Sequence, residues 1–204
     1  MQTAQVFEIL RHRIGTDGPG VTTLVCLHGC PLKCTFCINP ESRDSKRLAY
    51  SISCEELFEK VKKDNLYFLS TGGGVCFGGG EPAIHSSFIK EFKNGYAKKW
   101  NISIETSIYV ASFHIEELIH VIDSWVVDVK DTNSSIYSSY CGNSNENVWR
   151  NLSILAEKVS NKVTIKVPLI PYYNNESDIT KSFKLLNKLG FKNINVIKYC
   201  VNGN

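Results

Sequence analysis

Six short runs of apolar, often β-branched residues recur along the chain, at 21–27, 74–77, 102–105, 124–129, 163–167 and 194–197. Each is too short for a stable helix, so each reads as a strand. Between them lie stretches of helical periodicity: from an N-cap at Ser53 to about Lys63, then 86–98, 114–121, 146–159 and 177–189. Glu55 and Glu56 occupy the first turn of the first helix, and Gly190 follows the last where a C-cap is wanted. Strands alternating with helices dictate a parallel sheet with right-handed crossovers. Six such units are two short of a closed eight-fold barrel. The expected fold class is α/β, an open, partial (β/α)6 TIM-like barrel forming one domain over residues 1–204. Its site is expected at the C-terminal ends of the strands, where the loops converge.

Composition narrows the function classes. The 204 residues are 43% hydrophobic and 21% charged, globular values that support one sizeable core. A net charge of +3 is too weak to argue for nucleic acid. No apolar run approaches the length of a membrane span, and Met1-Gln2-Thr3-Ala4-Gln5 lacks a signal-peptide core. Eight cysteines are too few, in a chain this large, for a disulfide scaffold. A reducing cytoplasm is the expected location.

The chemistry concentrates in Gly29-Cys30-Pro31-Leu32-Lys33-Cys34-Thr35-Phe36-Cys37-Ile38-Asn39-Pro40. The C-x3-C-x2-C triplet supplies three thiolates, one fewer than a closed tetrahedral metal site wants. Three thiolates on one tight loop can hold three irons of a [4Fe-4S] cube and leave the fourth iron open to a small ligand. A structural zinc site completed by His28 or a distant cysteine is the competing reading. One β/α unit later comes Ser70-Thr71-Gly72-Gly73-Gly74-Val75-Cys76-Phe77-Gly78-Gly79-Gly80-Glu81-Pro82. Glycines after a short strand let a ligand approach bare backbone, and Glu81 adds a carboxylate suited to an ammonium group. Alone, the same run is equally a flexible turn.

Together, and in this order, the two motifs resemble the radical S-adenosylmethionine (SAM) enzymes. Asp17-Gly18-Pro19-Gly20, Gly72-Gly73-Gly74-Val75, Ile104-Glu105-Thr106-Ser107, Asp128-Val129-Lys130 and Val167-Pro168-Leu169-Ile170-Pro171 extend the resemblance to the activases of glycyl radical enzymes. It spans about 15–199, nearly the whole chain. Between Cys37 and Gly78 only Cys54 and Cys76 occur, so a second cluster is not expected.

The resemblance implies a radical SAM type barrel in which Cys30, Cys34 and Cys37 hold a [4Fe-4S] cluster. It implies that SAM chelates the open iron, with its amine held by Glu81 and the backbone at Gly79 and Gly80. Lys166 is expected at the SAM carboxylate or a ribose hydroxyl, or else as an exposed strand-end lysine. Glu105, Thr106 and Asp128 are expected to form an oxygen-ligand site for a monovalent cation, unless Asp128 and Lys130 only pair with each other. Lys130 joins the cofactor-binding set through the Asp-x-Lys match. The implied reaction yields a 5′-deoxyadenosyl radical and a glycyl radical on a partner enzyme. A flavodoxin or ferredoxin-type protein is implied as the electron donor.

The chain departs from the family pattern at Thr22, Ile38, Glu105, Ile108 and Cys200, and runs only to Asn204, which leaves the family's C-terminal tail short. His12, His28, His85, His114 and His120 show no metal-binding spacing, although His28 adjoins the cysteine loop. Cys26, Cys54, Cys76, Cys141 and Cys200 read as small buried hydrophobes, with Cys200 placed near the active site by the resemblance. Two other classes stay open: a radical SAM enzyme acting on a small molecule, such as a deazaguanine-forming synthase, and a non-enzymatic Fe–S electron-transfer module. Binding of SAM separates the second from the first.

Overall fold

The structure, a computed structural model, describes residues 2–44 and 49–199. Eight strands make one sheet: β1 (Thr3–Ile14), β2 (Val21–Leu27), β3 (Tyr50–Ser53), β4 (Gly74–Gly79), β5 (Asn101–Thr106), β6 (Ser124–Asp128), β7 (Val163–Leu169) and β8 (Asn193–Lys198). Their spatial order is β3-β1-β2-β4-β5-β6-β7-β8. The six runs read from the sequence become the parallel part, from β2 to β8. The sheet is open, with β3 and β8 at its edges. In β2 every residue but the first is buried, and β4 is buried up to Gly78. Such burial on both faces makes continuous apolar runs in the sequence.

Strands β1 and β3 are additions to the predicted pattern, and both are antiparallel: β1 pairs with β2, and β3 with β1. Only Ala4 and Val6 of β1 are buried; Phe7, Ile9 and Leu10 are half-buried, and register shifts interrupt its pairing between Val6 and Glu8 and between Leu10 and Arg13. The apolar side chains change phase along it, from Ala4 and Val6 to Phe7 and Ile9 and then to Leu10, so no sustained period-two signal survives.

Helices cover the parallel strands: α1 (Glu41–Asp44), α2 (Cys54–Val61), α3 (Asn65–Thr71), α4 (Ser86–Gly95), α5 (Ser112–Leu118), α6 (Ser134–Cys141), α7 (Glu146–Val159) and α8 (Glu176–Leu189). Ser53 caps α2 as expected, and a capping box with Glu56 satisfies the free amides of the first turn. The helix stops at Val61, short of the predicted Lys63, and a 3-10 turn leads into the unpredicted α3. Helix α4 ends at Gly95 rather than 98, and α5 lies over Ser112–Leu118 rather than 114–121. Gly190 closes α8 as read from the sequence. Helix α6 was not predicted; its run of serines and tyrosines has low helix propensity, and its Asn133 cap accepts from Ser135 N and Ile136 N.

The motif at 17–20 packs beneath the sheet, at the N-terminal ends of the strands. Asp17 binds Arg13, and the Ser103 hydroxyl donates to the Asp17 carbonyl. Gly20 sits at φ +63, and a Cβ there would lie 2.4 Å from the Thr71 carbonyl. This signature therefore closes the floor of the barrel, at the end opposite the cysteines. Among the described residues, no helix is long and apolar enough to cross a membrane.

Candidate functional site

The cysteine loop leaves β2 and is held on both sides. His28 N donates to Gln5 O at 2.8 Å, and Gly29 N to Ser42 O at 2.8 Å. On the far side, Lys33 N donates to Cys141 O at 3.0 Å and Thr35 N to Tyr140 O at 3.2 Å. The loop thus uses carbonyls that end α6 and lack intrahelical partners. Phe36, the aromatic before the third cysteine, packs edge-on against Tyr173 at 6.0 Å, and Thr35 Oγ1 meets Tyr173 Oη at 2.8 Å. Asn39 Nδ2 reaches across to Gly79 O at 3.0 Å.

At the end of β4, Gly80 N donates to Leu27 O at 2.9 Å and Glu81 N to Gly29 O at 2.7 Å. A Cβ on Gly80 would lie 2.3 Å from the Gly29 carbonyl, so only glycine lets the strand end approach the cysteine loop this closely.

Cys30, Cys34 and Cys37 all face one cleft enclosing about 800 Å³, solvent at its mouth included. Gly79, Gly80, Glu105, Thr106, Asp128, Lys130 and Lys166 line the same cleft. The structure therefore gathers almost every residue singled out from the sequence. Ser107 and Tyr199 line it too, and the sequence reading did not select them. The hydroxyl directly after Glu105-Thr106 was the available signal for Ser107; a lone tyrosine beyond the last strand offered none.

Glu81, expected at the amine of SAM, is enclosed by protein donors in this structure. It is 1% exposed and is absent from the cleft wall. Its Oε1 accepts from Ala83 N at 3.1 Å and from the Thr106 hydroxyl. Its Oε2 accepts from Ser107 N at 2.8 Å and from the Ser107 hydroxyl. With four protein donors the carboxylate has no lone pair facing a ligand amine, and it serves as a strut between the ends of β4 and β5. Burial pushes its carboxyl above the usual range, against these hydrogen bonds.

The carboxylates expected at a cation pair with lysines here. Lys166 Nζ lies 2.8 Å from Glu105 Oε1, and Lys130 Nζ contacts Asp128 Oδ2. Each carboxylate expected to bind a cation already faces an ammonium, and the Thr106 hydroxyl is spent on Glu81. Lys130 Nζ also donates to Tyr199 Oη at 2.9 Å. Burial opposes the charge of Lys130, but Asp128, then Tyr199 and Cys34, hold the ammonium well above its usual range. Asp128 Oδ1 is buried without a partner.

The thiols are not equivalent. Burial pushes Cys30 up to about 12. Contact with Cys141 draws Cys34 down, against burial, and Lys130 adds to the effect. Among the described residues no three His, Cys, Asp or Glu side chains converge as one ion would require. A cube differs in taking each thiolate on a separate iron. Three thiols opening on one cleft, with bare glycine backbone, two ammonium groups and an unpartnered carboxylate oxygen, fit such a cluster bearing a zwitterionic ligand.

Ile108 follows at φ +52, in the left-handed region. Its N donates to Thr106 Oγ1 at 2.8 Å, and Asn151 Nδ2 donates to both Ile108 O and Val110 O at 2.8 Å. A glycine suits that backbone, and here hydrogen bonds hold a β-branched residue in it. The histidines stay outside the cleft; His85 Nε2 meets His28 O at 2.8 Å. Cys26, Cys54, Cys76 and Cys141 are buried as expected. Cys200 lies outside the described residues.

The signature of the Radical SAM superfamily matches residues 24–186. The chain is 27% identical to the (2S)-3-sulfopropanediol dehydratase activating enzyme of Klebsiella oxytoca, an alignment covering 92% of this chain and 78% of that protein. It is 27% identical to the pyruvate formate-lyase 1-activating enzyme of Escherichia coli (strain K12), over 79% of this chain and 66% of that one. A domain of pyruvate-formate lyase-activating enzyme from Bacteroides vulgatus ATCC 8482 superposes with a TM-score of 0.54 at 28% identity, covering 63% of this chain and 81% of that chain.

Proposed function

The chain belongs to the radical SAM superfamily, and from that premise we propose that it is the activase of a glycyl radical enzyme. Cys30, Cys34 and Cys37 hold a [4Fe-4S] cluster as thiolates. Backbone at Gly79 and Gly80 receives the amine of SAM, while Glu81 braces that turn from behind. Lys130 and Lys166 supply positive charge for the SAM carboxylate, and Asp128 Oδ1 is free to accept a hydroxyl. Bound together, these cofactors supply one-electron cleavage of a carbon–sulfur bond and a carbon-centred radical.

The observation that carries the proposal is the shared cleft, in which all three cysteines meet the ends of β4 to β7. The activating enzymes among the relatives support a protein as substrate. So does the rim: Ile38, directly after the third cysteine, is 82% exposed, and Tyr172, in the loop after β7, is 94% exposed. Large apolar side chains left in water at the mouth suit a macromolecule that covers them. The target is a backbone glycine on an extended loop of the partner. The electron comes from a flavodoxin or ferredoxin-type donor, in a reducing cytoplasm where thiols stay unpaired.

The test is anaerobic reconstitution followed by reduction with SAM and a matched glycyl radical enzyme. A carbon-centred doublet should appear on the partner in amounts tracking 5′-deoxyadenosine, and replacing its target glycine with alanine should remove it. Equally fast SAM cleavage without a protein partner, with a small metabolite consumed, would point instead to a small-molecule substrate.

A further inference from the structure

We infer that Cys141 is a positioning residue for the cluster: its thiol donates to the Cys34 sulfur and sets how readily the cluster accepts an electron. The inference rests on the reading of Cys34 as a cluster thiolate. The two sulfurs are 3.8 Å apart, within hydrogen-bonding reach for sulfur, although the residues stand 107 positions apart in the chain. A ligating Cys34 carries no proton, so the hydrogen in this contact comes from Cys141. That thiol is fully buried in apolar surroundings, where a cysteine keeps its proton.

Backbone geometry makes the contact a fixed one. The residues on either side of Cys34 are pinned to the two residues that end α6: Lys33 N to Cys141 O, and Thr35 N to Tyr140 O. Asn143 Nδ2 adds a bond to Pro31 O at 3.3 Å. Helix α6 stops at Gly142, whose φ of +77 turns the chain away after these carbonyls have been presented. Cys34 therefore cannot shift relative to Cys141 without breaking main-chain bonds. Cys30 and Cys37 have no comparable thiol neighbour among the described residues. A hydrogen bond donated to a ligand sulfur withdraws electron density from it and favours the reduced cluster, which raises the reduction potential.

The experiment is a potentiometric titration of the reconstituted full chain, followed by the electron paramagnetic resonance signal of the reduced cluster. It is run on wild type, Cys141→Ala and Cys141→Ser, with iron and sulfide counted in each. Cys141→Ala should keep about four irons and titrate at a lower potential. Cys141→Ser, which restores a donor of similar size, should return towards the wild-type value. Loss of iron from the alanine variant alone, with the serine variant loaded, would also support the positioning role. The inference falls if both variants titrate with the wild type, or if both lose iron while the wild type holds it. Failure of the wild type itself to take up iron would instead remove the reading of the three cysteines as a cluster site.

Discussion

Ser107 binds Glu81 twice, through its backbone amide and its hydroxyl, and both bonds end on the same carboxylate oxygen. The run Gly79-Gly80-Glu81 thus ties the ends of β4 and β5 together beneath the cleft. Replacing Glu81 with Gln puts an amide NH2 against donors from Ser107 or from Thr106 and Ala83. The expected cost is about 1–3 kcal/mol of unfolding free energy, the penalty of a buried donor left unmatched. Urea denaturation of the metal-free chain measures it, and a variant as stable as wild type would show that the strut carries no load.

The three cysteines are expected to act as a set. Cys30→Ala, Cys34→Ala and Cys37→Ala should each reduce iron uptake from about four per chain to near zero, since two thiolates rarely hold a cube. Circular dichroism should change little, because all three side chains are only partly buried on the cleft wall. Tight zinc binding by the wild type without iron uptake would overturn the assignment.

Lys130 is the counter-ion that Asp128 needs. Lys130→Met should destabilise the chain by about 1–3 kcal/mol, less than a fully buried pair would show because Asp128 keeps contact with solvent. Adding Asp128→Asn should recover part of that loss, and a thermal-denaturation cycle over the two single variants and the double variant reads the coupling directly.

Asp64 tests the floor of the barrel independently of the site. Its carboxylate is fully buried and accepts from Arg11 Nε at 2.8 Å and from the Thr23 hydroxyl at 3.0 Å, with His12 Nε2 also 3.0 Å away. Burial works against its charge, but Arg11 and Thr23 together hold it below the ordinary aspartate value of 3.8. A depressed carboxylate stabilises the fold above that value, and the benefit is lost as pH falls through its folded-state pKa. Asp64→Asn should cost about 1 kcal/mol near neutrality. The gap between the two proteins should close below pH 3.8, as seen in denaturant midpoints across an acid series, while iron uptake is unaffected.

Much of this architecture was legible because burial leaves a periodic trace. Strands β2 and β4 are buried on both faces and so appear as unbroken apolar runs. Strand β1 escaped because its register shifts break the alternation of its apolar residues, and α6 because Ser-Ser-Ile-Tyr-Ser-Ser-Tyr-Cys carries no strong helix formers. The cysteine spacing put three thiols on one tight loop, and all three open on the cleft. Sequence order could not say where Glu81 points, because that depends on Thr106 and Ser107, donors about 25 residues downstream. The pairing of Cys34 with Cys141 was invisible for the same reason, and Cys141 read only as a small apolar filler.

The motif packed beneath the sheet has a consequence for how such a chain can diversify. Gly20 and its neighbours lock the strand origins, where a single added methyl group meets backbone. Ile38 and Tyr172, at the opposite end, are mostly in water, and exchanging such side chains changes folding free energy little. Side chains at the mouth can therefore be exchanged one at a time while the scaffold beneath them keeps its shape.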